Sequence, residues 1–277
     1  MLSFVEGLSL AGDRAKQNDD AFGFAEGCYA WVIDGATDLH DRPFSDAASD
    51  AAWLAHFANA HLHGSEGDDL NARVAAASAA AARAFAALTQ GAPYERWQSP
   101  IASLLMLGAA SHGVFGVDLG DCRVFTLDAD GAVGEAGGAP NAADAETTLA
   151  AAQTDSDRPL LQRAATIDTL RRMRADLNRQ GAHWTFGLNP DCAAQARFWT
   201  LSLQPPAHVL LMTDGFAALV DRYRAYDAAA LVRAALDHGL QELGRELRAI
   251  ERADVGGARH PRFKQSDDAT ALLMRLT

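Results

Sequence analysis

Apolar positions in this chain fall into two kinds of block: short runs cut off by Gly, Asp or Pro, and long alanine-rich stretches. The short runs at 2–10, 21–25 and 28–33 predict strands. A Glu26-Gly27 turn makes the second and third a hairpin, and the third runs straight into Asp34-Gly35. The alanine-rich stretches at about 44–62 and 68–89 predict helices, since alanine carries no helix penalty and Ser45 and Asp46 are available to cap the first. Short apolar runs return from 101 to about 136, separated by His112-Gly113, Gly120-Asp121 and Asp130-Gly131, as in an antiparallel meander.

Residues 131–157 are rich in Ala, Gly, Asp and Thr and predict mostly loop; a helix is expected over 160–179, where Leu170, Met173 and Leu177 share a face. Strands at 196–203 and 208–213 flank Pro205-Pro206, and the second runs into Asp214-Gly215. Asp227 can cap one long amphipathic helix carrying Leu236, Leu240, Leu243, Leu247 and Ile250, and a final strand at 269–276 follows Asp267-Asp268. Strand blocks and helix blocks are segregated, which favours an α+β fold with antiparallel sheets over a doubly wound parallel sheet.

Composition narrows the field. The chain has 277 residues, 49% of them hydrophobic and 22% charged, and is expected to form one domain over 1–277, with a variable loop and helix insertion at about 137–195. Its formal net charge of -12 repels a phosphate backbone, so no nucleic-acid partner is expected. The cysteines Cys28, Cys122 and Cys192 have no metal-site spacing and are expected to be buried in a reducing compartment. Glu6 and Asp13 interrupt the first apolar stretch, against a signal peptide, and Arg83 breaks the apolar run from Val74, against a membrane span. A cytoplasmic location is the expectation.

Four acidic clusters sit where an apolar strand meets a turn: Asn18-Asp19-Asp20, Asp34-Gly35, Asp214-Gly215 and Asp267-Asp268. Any one of them alone reads more readily as turn chemistry. Together, carboxylates gathered at one sheet edge would repel one another unless divalent cations neutralised them. An all-oxygen set without His or Cys points to Mg2+ or Mn2+, and two such ions can activate water and clamp a phosphoryl group.

The segments N-D-D-A at 18–21, V-I-D-G-A-T at 32–37, G-D-C-R at 120–123, L-M-T-D-G-F at 211–216 and S-D-D-A-T at 266–270 span nearly the whole chain. In order and spacing they resemble the metal-dependent protein phosphatase (PPM) family, type 2C. The stretch N-R-Q-G-A-H-W at 178–184 is similar to a segment of small bacterial members. The resemblance implies a β-sandwich of two antiparallel sheets flanked by α-helices in four layers. It also implies hydrolysis of phosphoserine or phosphothreonine by water activated between two Mn2+ or Mg2+ ions. It places Asp34 across both metals, Gly35 on one through its carbonyl, and Asp214 and Asp267 on the first. Asp19 goes to the second, Asp20 to metal-bound waters, and Asp121, with Asp214, to a third metal. The implied partners are a phosphorylated protein substrate and a cognate Ser/Thr kinase, the chain itself acting as a monomer.

Two departures stand out. The family's phosphate-binding arginine is replaced by Ala15, flanked by Arg14 and Lys16; Arg14 is the preferred substitute, with Lys16 the alternative. The histidine that follows the first glycine in some members is also missing, the chain reading Ala36, Thr37 and Asp38, so His40, His183 or a metal-bound water must protonate the leaving group. These gaps motivate two other readings: a catalytically weak regulatory or binding module, and a phosphatase of a small phosphorylated metabolite. The basic run Arg171, Arg172, Arg174 and Arg179 could meet an acidic phosphoprotein but reads first as a solvated helix face, and His56, His61 and His63 read as solvent-exposed or core histidines.

Overall fold

The computed structural model describes residues 1–65, 69–138, 148 and 164–277. In chain order the strands are β1 (Leu2–Leu10), β2 (Asp20–Ala25), β3 (Tyr29–Gly35), β4 (Ile101–Ala110), β5 (Gly113–Leu119), β6 (Arg123–Leu127), β7 (Val133–Gly137), the two-residue β8 (Phe186–Gly187), β9 (Arg197–Ser202), β10 (Ala207–Met212) and β11 (Ala269–Leu276). The helices are α1 (Asp50–His63), α2 (Leu70–Leu88), α3 (Ala164–Asp176), α4 (Asp214–Asp221), α5 (Ala228–His238) and α6 (Leu240–Ala253).

Two antiparallel sheets form, one in the order β1-β11-β10-β6-β7 and the other β2-β3-β4-β5-β9, with β8 against the start of β4. Their central strands are buried on both faces, which explains why they read as continuous apolar runs. Along β3, Ala30 and Val32 enter the layer between the sheets, whereas Trp31 and Ile33 face α1 and α2. Along β10, Val209 and Leu211 face the other sheet, whereas Leu210 and Met212 pack with residues of α4, α5 and α6. The result is the expected four-layer arrangement of helices, sheet, sheet and helices.

Several local expectations change. The segment from 101 to 136 is not one meander: β4 and β5 pair in one sheet and β6 and β7 in the other, so Gly120-Asp121 is a crossing point between layers. The Pro205-Pro206 break likewise separates strands of different sheets. Helix α1 starts at Asp50, not near 44, because the Ser49 hydroxyl accepts from the Ala52 N–H at 2.9 Å and the Asp38 carboxylate accepts from the Asp50 and Ala51 N–H groups at 2.7 and 3.2 Å. The single C-terminal helix is two, broken at Gly239, whose φ of +81° suits glycine. Asp227 caps the first of these as expected, but Leu236 is exposed. Cys28 is exposed too, whereas Cys122 and Cys192 are buried. Most of the loop expected over 131–157, and the first residues of the helix expected from 160, lie outside the described residues; within them, 133–137 is strand.

Candidate metal centre

The four acidic clusters end up at one edge of the sandwich because each closes or opens a strand there. Asp20 begins β2 and Asp34 lies near the end of β3; they face each other across the ladder. One strand further, Asp34 is the partner of Ser103, whose hydroxyl donates to Asp121 just past β5. Asp214 opens α4 directly after β10, and Asp267-Asp268 precede β11. Thr213 ties these ends together. Its hydroxyl donates to Asp20 Oδ2 at 2.8 Å and accepts from the Thr270 N–H at 2.9 Å, and its own N–H donates to the Thr270 carbonyl at 3.0 Å.

A cavity of about 320 Å³ opens over this edge. Asp34, Gly35, Asp121, Asp214 and Asp267 line its polar side with Ser103, Lys264 and Arg174, and Leu39, Ile101, Leu170, Met173, Leu177 and Phe263 form an apolar wall. A second cavity, of about 290 Å³, adjoins it across Thr37, Lys264 and Asp267 and holds Asp19, Asp268 and Lys16. The structure therefore gathers Asp34, Gly35, Asp121, Asp214 and Asp267 on the first cavity and Asp19 on the second, with Asp20 buried opposite Asp34 on the ladder. Arg14 is exposed on the loop and lines neither cavity. His183 is exposed, and His40 lines only the second cavity, so among the described residues no histidine lines the cavity of Asp34 and Asp214.

The electrostatics are those of an unneutralised cluster. Burial pushes the Asp34 carboxyl well above its usual range, and Asp214, Asp20, Asp121 and Asp267 push it further. Burial likewise raises Asp20, against the Thr213 hydroxyl and with the help of Asp268 and Asp267. Asp19 is raised to about 6, chiefly by burial. Asp267 moves the other way: burial works against its charge, but the Lys264 ammonium at 2.7 Å prevails and holds its pKa down. Lys264 itself is placed by Arg262, a buried guanidinium that bonds Asp254 and the carbonyls of His260 and Gln265, each at 2.9 Å.

This donor set fits hard divalent cations. It is all oxygen, its charges repel one another, and among the described residues Asp20 Oδ1 is buried without a hydrogen-bond partner, which is costly for a carboxylate unless a positive group or an ordered water faces it. A different cluster, Asp38, His40 and Asp50, has ligand atoms within 4.8 Å of one another. There each carboxylate oxygen already accepts a backbone N–H, from Asp50 and Ala51 onto Asp38 and from Phe44 and Ser45 onto Asp50. That cluster works as a latch on the 38–50 loop.

Three contributors were not singled out in the sequence. Asp268 accepts from the Gly12 and Asp19 N–H groups at 2.7 and 2.6 Å and so pins the loop bearing Asp19; the only signal was its place in an acidic doublet. Asp38 carried no signal. Arg174 was grouped with a solvated run, although it lies four residues after Leu170 and three before Leu177, on the apolar face.

A sequence profile for protein phosphatase 2C matches residues 13–248. The chain belongs to the protein phosphatase 2C family. Solved structures share the fold across their length. The Mycobacterium tuberculosis serine/threonine phosphatase PstP/Ppp is 19% identical, with a TM-score of 0.55 over 99% of this chain and 98% of that one. PppA, described as a regulatory component of the type VI secretion system in Pseudomonas aeruginosa, is 18% identical, with a TM-score of 0.55 over 99% and 97%. The PstP catalytic domain in complex with two manganese ions is 20% identical, with a TM-score of 0.52 over 99% and 97%. Comparison with curated proteins yields no match. The 2C profile stops short of Asp267, whereas the structural likeness runs through it. No described helix is long and apolar enough to cross a membrane.

Proposed function

We propose that this chain is a metal-dependent phosphoprotein phosphatase acting on phosphoserine and phosphothreonine. The observation that carries the reading is the convergence of Asp34, Asp121, Asp214 and Asp267 on one cavity, with the buried Asp20 carboxylate behind them, in a chain of this family. Asp34, Asp214 and Asp267 would hold one Mn2+ or Mg2+ ion, Asp34 and Asp19 a second, with the Gly35 carbonyl on one of these two, and Asp121 with Asp214 a third. Bound ions supply Lewis-acid activation of water and neutralise phosphoryl charge.

The protein's own groups do the rest. Thr213 fixes Asp20, Ser103 fixes Asp121, and Asp268 fixes the backbone of Asp19. Leu170 and Leu177 give the cavity an apolar side against which the reacting ester would lie. With no histidine lining the cavity among the described residues, the leaving alkoxide takes its proton from water, so aryl phosphates should turn over faster than a phosphoseryl peptide.

The test is Mn2+-dependent hydrolysis of an aryl phosphate and a phosphoseryl peptide by wild type and Asp214→Asn. Loss in the variant should exceed about 100-fold, since even groups that only support metal ligands cost 10- to 100-fold. Activity that survives chelation would reject the mechanism. Turnover of small esters but not of peptides would favour a metabolite phosphatase. Metal binding without turnover would favour the regulatory reading that the displaced arginine motivates.

A further inference from the structure

The loop before Asp19 places no cation in the cavity of Asp34 and Asp214: Ala15 stands where the resembled family has arginine, and Arg14 is exposed outside it. A phosphoryl dianion entering a cavity lined by four aspartates still needs a positive group besides any ions. The cavity lining holds two. Lys264 is committed to Asp267 at 2.7 Å. Arg174 is not committed to any carboxylate: among the described residues its guanidinium makes one hydrogen bond, from Nη1 to the Thr37 carbonyl at 2.9 Å, and no ion pair.

The helix carrying Arg174 is held firmly over the site. Arg171 donates from Nε and Nη2 to the Leu39 carbonyl at 3.0 and 2.7 Å and lies 4.2 Å from the Trp97 ring centroid. Arg96 caps the other end, donating to the carbonyls of Ala175 and Leu177 at 3.2 and 3.0 Å. Arg174 is thus delivered to the cavity on a fixed helix, and among the described residues Nε and Nη2 have no hydrogen-bond acceptor. Two such donors on one planar group match two oxygens of a phosphoryl group.

We infer that Arg174 is the phosphate-binding residue of this enzyme, a fork supplied by α3 in place of the arginine missing from the loop before Asp19. The inference rests on the phosphatase reading for its substrate but not for its test. Burial lowers the Arg174 pKa to about 10, opposed by Asp38, so the group stays charged at neutral pH. Desolvation of this kind strengthens its grip on an anion.

The experiment is calorimetric titration of inorganic phosphate into wild type, Arg174→Gln, Arg174→Lys and Arg171→Gln in Mn2+ buffer, with Mn2+ affinity and thermal stability measured alongside. Glutamine can keep a bond to the Thr37 carbonyl while removing the charge. Arg174→Gln is expected to weaken phosphate about 10- to 100-fold, the loss for a charged hydrogen bond, with Mn2+ affinity within about twofold of wild type. Arg174→Lys should recover part of the loss. Arg171→Gln, which removes an anchor of the same helix but no cavity cation, should leave phosphate affinity near wild type. An equal loss in Arg171→Gln would mean that only helix docking matters and would overturn the inference. So would unchanged affinity in Arg174→Gln, no phosphate binding by wild type, or a loss confined to Arg14→Gln. Arg174-dependent phosphate binding without Mn2+-dependent turnover would instead reject the hydrolase reading and leave this one standing.

Discussion

Replacing Asp34 with asparagine should make the metal-free protein more stable while removing its response to Mn2+. Asp34 is the cross-strand partner of Asp20, and side chains directly opposite on an antiparallel ladder stand roughly 5 Å apart. Two ionised carboxylates at that distance repel by about 3 kcal/mol at an effective dielectric of 20, an upper bound because one of them holds a proton part of the time. Asparagine keeps the shape, and its amide can donate to the carboxylates around it. A net gain of about 1–2 kcal/mol corresponds to about 2–8 °C in a chain of this size.

The sign follows from the raised pKa of Asp34. The native state keeps a proton that the unfolded chain releases above the ordinary carboxylate range, so metal-free wild type loses stability as pH rises from about 4. Asp34→Asn should lose less over the same interval, and the gap should be widest at neutral pH. Mn2+ at 100 times its dissociation constant should stabilise wild type by about 2.7 kcal/mol, and the variant by far less. Thermal unfolding in chelator and in Mn2+, at several pH values, reads both effects. A variant no more stable than wild type in chelator at pH 7, or one that keeps the full Mn2+ shift, would refute the reasoning.

Other outcomes follow from the same geometry. Because Asp19 is raised to about 6, Mn2+ affinity should climb as pH rises through 6 and binding should release protons, measurable by titration in buffers of different ionisation heat. Asp268→Ala frees the Gly12 and Asp19 N–H groups, so it should cost about 2–4 kcal/mol and lower Mn2+ affinity about 10-fold or more; denaturant melts and metal titrations test the two parts. Gly215→Ala would set a Cβ 1.9 Å from the Asp268 carbonyl oxygen, and unfolding should show a loss of about 3 kcal/mol or more.

The acids of the site were legible because each marks a strand end, and strand ends were the clearest feature of the apolar pattern. Their convergence was legible only through the family resemblance, since nothing in a single run says which sheet it joins. That is why 101–136 read as one meander: a turn such as Gly120-Asp121 looks the same whether the next strand pairs beside the last or crosses to the other layer. The start of α1 was misplaced for a related reason. Ser45 and Asp46 are as good local caps as Ser49, and the choice was made by Asp38, twelve residues before the N–H it accepts.

Arg174 was misread for the opposite reason: the rule applied to it was local when a local pattern also held the answer. A basic run in an acidic protein is usually a solvated face, and Arg172 and Arg179 are indeed exposed. Arg174, however, shares its helix face with Leu170 and Leu177, and those residues are apolar because that face closes a cavity rather than meeting water. A cation placed on an apolar stripe is desolvated by its neighbours, and desolvation of a charge in a folded chain calls for a counter-charge. Here Asp38 supplies one only from beyond ion-pair distance among the described residues, and a negative group entering the cavity from outside would complete the arrangement.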